Sequence, residues 1–185
     1  MNVWLPETLD PGEIAPNGFN RIQIMKQLIL VRHGKSSWDY DVSDKDRPLL
    51  ERGIQDGHRV ATAFKELDIP IDAIFSSPAN RALHTCIIFM RKLGLPFRNL
   101  ELTNELYEFS GEGVMEFVHG LEHNLKTVMI FGHNNAFTNV ANSWGSNPFE
   151  NVPTTGLVQL SFKTDSWVSV SNGTTARFIF PKQLA

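Results

Sequence analysis

The chain has 185 residues, 42% of them hydrophobic and 20% charged, with a formal net charge of -3. That length supports one substantial core rather than two ordinary domains, and the composition excludes disordered and fibrous classes. The slight acidity argues against sequence-independent binding of nucleic acid, which needs many Lys and Arg side chains on phosphates. Cys86 is the single cysteine, so no intrachain disulfide forms and a reducing cytoplasm fits. Set in the apolar run 86–90, Cys86 reads as a small buried apolar residue. No apolar stretch approaches the ~18 residues of a membrane span, and no basic-then-apolar N-terminus marks a secretory signal, so no membrane association is expected.

Residues 1–24 carry Pro6, Pro11, Pro16, Gly12 and Gly18 without a clear period and read as an extension. The folded domain is expected over 25–185. From Lys26 onward strand-like and helix-like segments alternate, the pattern of an α/β domain with a mostly parallel sheet. A buried strand is expected over 26–31, and a helix over 51–67 from the spacing of Ile54, Val60, Ala61, Phe64 and Leu67. A short strand follows at 72–75. Ser77 as N-cap and Pro78 at the first helical position predict a helix from there to about Leu93, ended by Gly94. Further elements are a helix over 113–123, a strand over 127–131 and a helix over 134–144. After Pro153 three short strands are expected at 157–162, 167–170 and 175–180, in antiparallel arrangement. Asn172-Gly173-Thr174 matches a glycosylation acceptor, but Asn-Gly between strand-like runs reads better as a hairpin turn.

Three segments carry groups suited to chemistry on an anion: Arg32-His33-Gly34, Ser76-Ser77-Pro78 with Arg81, and Gly132-His133-Asn134. Each follows a predicted strand. Parallel strands share a direction, so all three should emerge on one sheet edge, where open α/β sheets bind ligands. An imidazole nitrogen can attack phosphorus, and a guanidinium can hold two phosphate oxygens at once. His33 is therefore the expected nucleophile, with Arg32 and Arg81 holding the equatorial oxygens and His133 adding a donor. Nearby guanidinium charges should keep His33 neutral, whereas bound phosphate would favour protonated His133. Taken singly, each of these residues also fits a turn, packing or surface role; the three segments together carry the reading. A rival motif, His119-Gly120-Leu121-Glu122-His123, matches a zinc-hydrolase pattern. Gly120 weakens its helix and no third ligand is evident, so no metal is expected.

The sequence resembles the histidine phosphatase superfamily, and most of all its small bacterial phosphohistidine phosphatase branch. The resemblance spans residues 25–182 and rests on Leu30-Val31-Arg32-His33-Gly34-Lys35-Ser36-Ser37-Trp38, Asp46-Arg47-Pro48-Leu49 with Arg52-Gly53, Ser76-Ser77-Pro78 with Arg81-Ala82 and Thr85, Leu106-Tyr107-Glu108, and Gly132-His133-Asn134. It implies a three-layer α/β/α domain, a phosphohistidine on His33, a phosphate pocket of Arg32, Arg81 and His133, and no cofactor. It also places the proton donor at Glu108, with Glu105 second. Leu50 departs from the pattern, standing where relatives often carry a capping Thr. Ser36, Trp38 and Asn134 fall where a pocket rim would lie, and Asp46-Arg47-Pro48 either closes the entrance or forms a structural salt bridge. The expected activity is hydrolysis of a phosphorylated protein at histidine; the alternatives are a small phosphate ester as substrate, or a phosphoprotein-binding module with little turnover.

Overall fold

The apolar run at the head of the domain forms β1 (Lys26–Arg32) in the computed structural model, which describes residues 25–184. The expected extension at 1–24 lies outside the described residues. Leu28 and Leu30 join one apolar cluster with Val114, Val118, Phe137 and Val140, whereas Ile29 and Val31 join another with Val60, Phe64 and Phe89. Burial on both faces is why this strand reads as a continuous apolar run rather than an alternating one.

The other regular elements are α1 (Glu51–Lys65), β2 (Ala73–Ser76), α2 (Asn80–Leu93), β3 (Leu100–Leu102), α3 (Glu112–His119), β4 (Thr127–Gly132), α4 (Ala136–Trp144), β5 (Leu157–Phe162) and β6 (Thr174–Ile179). The sheet order is β3-β2-β4-β1-β5-β6. The first four strands in that order are mutually parallel, while β5 runs antiparallel to β1, and β6 to β5. Helices α1 and α2 supply the buried residues of one face, α3 and α4 those of the other. The result is the expected three-layer α/β/α sandwich with a mostly parallel sheet and antiparallel C-terminal strands.

Several local expectations differ from the structure. Helix α2 starts at Asn80 rather than Pro78, because Ala79 keeps an extended backbone with ψ 132° and serves as the N-cap. Helix α3 stops at His119, with Gly120 as its C-cap, and α4 starts at Ala136. Residues 167–169 form a 3-10 turn instead of a strand. There Trp167 is fully buried and its indole N–H donates to the Leu125 carbonyl at 2.9 Å, so it acts as a plug under the sheet rather than as a pleated strand residue. Asn172, with φ 37°, therefore turns the chain into β6 but does not close a hairpin between two strands. The short edge strand β3 was not expected; its pattern of one half-buried and two exposed residues carries little periodic signal.

The start of α1 lies against the loop after β1. Leu50 has no capping side chain, as its identity implies, but its own amide donates to the Lys35 carbonyl at 2.8 Å. A Cβ on Gly53 would lie 2.3 Å from that same carbonyl oxygen, so only glycine permits the contact. Gly53→Ala is therefore expected to destabilise the fold by ~1–3 kcal/mol through overpacking against backbone. Gly57→Ala, whose Cβ would meet only the Ile88 side chain at 3.3 Å, should cost less; urea unfolding of both variants measures the difference.

Candidate active site

Pairing of β1 with β4 sets Arg32 beside Gly132, and β2 pairs on the other side of β4 through Ser76 and Phe131. The pairing continues past the strand ends: the His33 amide donates to the Gly132 carbonyl at 3.0 Å and the Ser77 amide to that of Phe131 at 2.9 Å. The two histidine rings consequently lie with centroids 5.2 Å apart. Helix α2 ties in from one side, where Thr85 Oγ1 accepts from the Gly34 amide at 2.9 Å and donates to the Arg81 carbonyl at 2.7 Å.

His33 Nδ1 lies 2.8 Å from the Gly34 carbonyl oxygen. A carbonyl only accepts, so Nδ1 carries the proton and Nε2 keeps its lone pair. Burial, with the cations of Arg81, Arg32 and Arg47, pushes the His33 pKa down to about 3, against the opposing pull of the Gly34 bond. His133 is also pushed down to about 3, by burial and then by His33 and Arg81. Its Nε2 is 2.8 Å from Ser77 Oγ. Arg32 Nη1 donates to the Val152 carbonyl at 2.7 Å and to Asn151 Oδ1 at 3.3 Å. Arg32 Nε, Arg81 Nε and His133 Nδ1 are buried without a protein hydrogen-bond partner.

Arg32, His33 and Arg81 line an open cavity of about 530 Å³ together with all three expected rim residues, Ser36, Trp38 and Asn134, whereas His133 is fully buried and does not line it. Arg47 organises the rim. Its guanidinium stacks 3.2 Å from the centre of the Trp38 ring, its Nε donates to the Ser37 carbonyl at 2.9 Å and its Nη2 to Ser36 Oγ at 2.7 Å. Asn134 Nδ2 donates to Asn151 Oδ1 at 2.7 Å, the same oxygen that meets Arg32.

The carboxylates are arranged differently from the sequence expectation. Glu108 lines a separate cavity of about 880 Å³, as does Glu105, and neither lines the cavity of His33. The Glu108 carboxylate accepts from the Gly111 amide at 2.8 Å and from the Ser110 amide, closing the turn into α3. Burial opposes its ionisation, but these bonds outweigh burial and hold its pKa below the usual value. The carboxylate in the His33 cavity is instead Asp44. It accepts from Arg81 Nη2 at 2.8 Å, Arg47 Nη1 at 3.0 Å and the Tyr107 hydroxyl at 2.6 Å. Burial opposes ionisation here too, yet these three donors hold the carboxyl well below the usual range. Tyr107 and Phe109 also line the site and contact the His133 ring edge-on and tilted, respectively. Asp44 went unnoticed in the sequence because its partners Arg81 and Tyr107 lie far along the chain; only its spacing of three from Arg47 was local signal.

The rival zinc motif is taken up otherwise. Helix α3 ends at His119, His119 Nε2 donates to the Val170 carbonyl at 3.0 Å, and among the described residues no group of three or more His, Cys, Asp or Glu is placed to hold a metal ion.

Comparison with known proteins agrees with this geometry. Residues 28–116 match the model of the histidine phosphatase superfamily (branch 1). Among curated proteins, the 2,3-bisphosphoglycerate-dependent phosphoglycerate mutase of Rhizobium etli is 38% identical over 72 residues, 37% of this chain and 34% of that enzyme. The alignment thus spans about a third of the curated relative's length, 34%. Among solved structures, the protein histidine phosphatase SixA complexed with tungstate superposes with a TM-score of 0.72 at 21% identity, covering 86% of this chain and 99% of that one. A mycobacterial glucosyl-3-phosphoglycerate phosphatase superposes at 0.58 with 16% identity, covering 83% and 100%. These likenesses show a shared fold.

The two depressed histidines have a consequence for stability. In the unfolded chain they take up protons near their ordinary value of 6.5, whereas the folded site resists protonation to about 3. Between those values the unfolded state binds more protons, so stability is full above pH 6.5 and falls as pH drops toward 3. The melting temperature should therefore decrease from pH 7.5 to pH 5, and His133→Asn should flatten that decrease, as read by calorimetry across the range.

Proposed function

We propose that this protein hydrolyses phosphorylated proteins at histidine through a covalent phosphohistidine on His33. The observation that supports it best is a ring nitrogen ready to attack, set in a cavity whose only lining carboxylate among the described residues, Asp44, is held ionised and is thus no proton donor. His133 is no ready acid either, since burial and then the neighbouring His33 and Arg81 push its pKa down to about 3. General acid help contributes typically ~10²–10⁴-fold to such reactions. An alkyl phosphate ester departs as a basic alkoxide and needs that help. A phosphohistidine protonated on its other ring nitrogen departs as neutral imidazole and does not.

In the first step the Nε2 lone pair of His33 attacks phosphorus, the substrate P–N bond breaks, and its electron pair stays on the departing imidazole. Arg32 and Arg81 hold the transferring oxygens as charge redistributes among them. In the second step water attacks phosphorus, the P–Nε2 bond breaks and returns its pair to His33, and both water protons leave with inorganic phosphate as dihydrogen phosphate. The exposed apolar side chains that line the cavity, Trp38 and Phe109, suit contact with a protein surface. The second reading, a small-molecule phosphomonoesterase, is supported by the phosphoglycerate mutases among the curated relatives.

Hydrolysis of a phosphohistidine-bearing protein should exceed that of a phosphoserine peptide or phosphoglycerate by roughly 100-fold in kcat/KM; a reversed preference favours the second reading. His33→Ala should abolish an acid-labile phosphoenzyme in single-turnover labelling, and normal turnover by that variant refutes the mechanism. Glu108→Gln should change kcat by less than about 3-fold, because its carboxylate is outside the His33 cavity. A far larger loss of kcat, with an altered alkaline limb in the pH profile, would restore Glu108 as the acid.

A further inference from the structure

Asp44 stands in the way of the reaction just described. Both terminal nitrogens of the Arg81 guanidinium are engaged by it, Nη1 with its backbone carbonyl and Nη2 with its carboxylate at 2.8 Å. Arg81 is 2% exposed, so it has little freedom to turn toward a ligand elsewhere. An anion that uses the Arg81 terminal nitrogens must compete with Asp44 for them. The residue's other holds are the Tyr107 hydroxyl at 2.6 Å and Arg47 Nη1 at 3.0 Å.

The segment that carries it is built to yield. Asp44–Asp46 is a single 3-10 turn without a buried residue, attached to α2 by Asn80 Nδ2 on the Asp46 carbonyl at 2.9 Å. Moving it exchanges polar contacts but uncovers no apolar core, which is the low-cost end of local opening. Once released from Arg81, the carboxylate remains within reach of Arg47, three residues along the same turn. It stays at the cavity rim as a negative charge.

Resting on the proposed function, we infer that Asp44 is a specificity-determining residue: a resident anion that the phosphoryl group must displace from Arg81, and that then repels any second anionic group on the substrate. Lys35 and Lys45 lie nearby, the first lining the cavity and the second over the Tyr107 ring at 4.8 Å, but neither bonds the Asp44 carboxylate. A phosphoryl group carried on an uncharged or cationic side chain meets only the displacement. One carried on a molecule with a further carboxylate or phosphate meets like charge as well. The selected class is therefore a phosphoryl group on a neutral or cationic carrier, such as an imidazole.

The test uses the full chain. Tungstate binding by titration calorimetry should be ~10-fold tighter in Asp44→Asn than in the wild type, since a charge-assisted competitor is removed. The ratio of kcat/KM for 3-phosphoglycerate to that for p-nitrophenyl phosphate should rise by roughly 5-fold in the same variant. Equal or weaker tungstate binding, or an unchanged ratio, overturns the inference, because an Asp44 that merely held Arg81 in place would weaken oxyanion binding when removed. Tyr107→Phe, which loosens Asp44 but keeps its charge, provides a second variant: ~2-fold tighter tungstate binding is expected and weaker binding counts against the inference. Phosphohistidine hydrolysis by the wild type with unchanged tungstate binding in Asp44→Asn overturns this inference alone. Tightened binding without any phosphohistidine hydrolysis overturns the proposed function alone.

Discussion

The parallel pairing of β1 with β4 is the constraint on which the site depends. It aligns Arg32 with Gly132, and the ladder then runs one bond further, from the His33 amide to the Gly132 carbonyl at 3.0 Å. Two histidines a hundred residues apart in sequence thereby face each other at the same sheet edge. Both strands are buried on both faces, so sliding their register would displace two apolar clusters at once. The chemistry is positioned by the core rather than by its own loops.

Around that edge the balance of charge is unusual in a consistent way. Burial, together with the guanidinium charges of Arg81 and Arg32, keeps both histidines neutral, and the Asp44 carboxylate compensates the guanidinium of Arg81. A buried cation without a partner is costly, so the compensating anion has to come from the protein or from the ligand. Asp44 fills that role on a turn with no buried residue, whereas Glu108 is committed to closing the turn before α3. The division of labour between these two carboxylates follows from what donates to them and not from their chemistry, which is the same.

Much of the site could be read from the chain because its signal is local. Arg32-His33, Ser76-Ser77 and Gly132-His133 each sit just after an apolar strand-like run, and strand direction alone implies convergence. Arg81 one turn into a helix was legible for the same reason. Glu108 was not, because a Leu-x-Glu resemblance says nothing about which side of Tyr107 the carboxylate occupies. Trp167 differs for a related reason: an aromatic followed by Val168 and Val170 has strand propensity, but in the fold it serves as a plug whose indole bonds the Leu125 carbonyl.

By itself, then, the sequence determined the α/β class, the order of the main elements and the strand-end or helix-start position of the two histidines and two arginines, since periodicity and strand-end position are properties of a short stretch of chain. Tertiary structure alone decided the charge relations: which carboxylate shares the cavity with His33, which nitrogen of that ring carries the proton, and that Arg81 already holds an anion. Each of these depends on a partner brought in from a distant segment, Asp44 to Tyr107 or Ser77 to His133, or on the backbone angle that sets the Gly34 carbonyl against Nδ1. Distances between such groups are set by packing, and no local pattern in the chain encodes them.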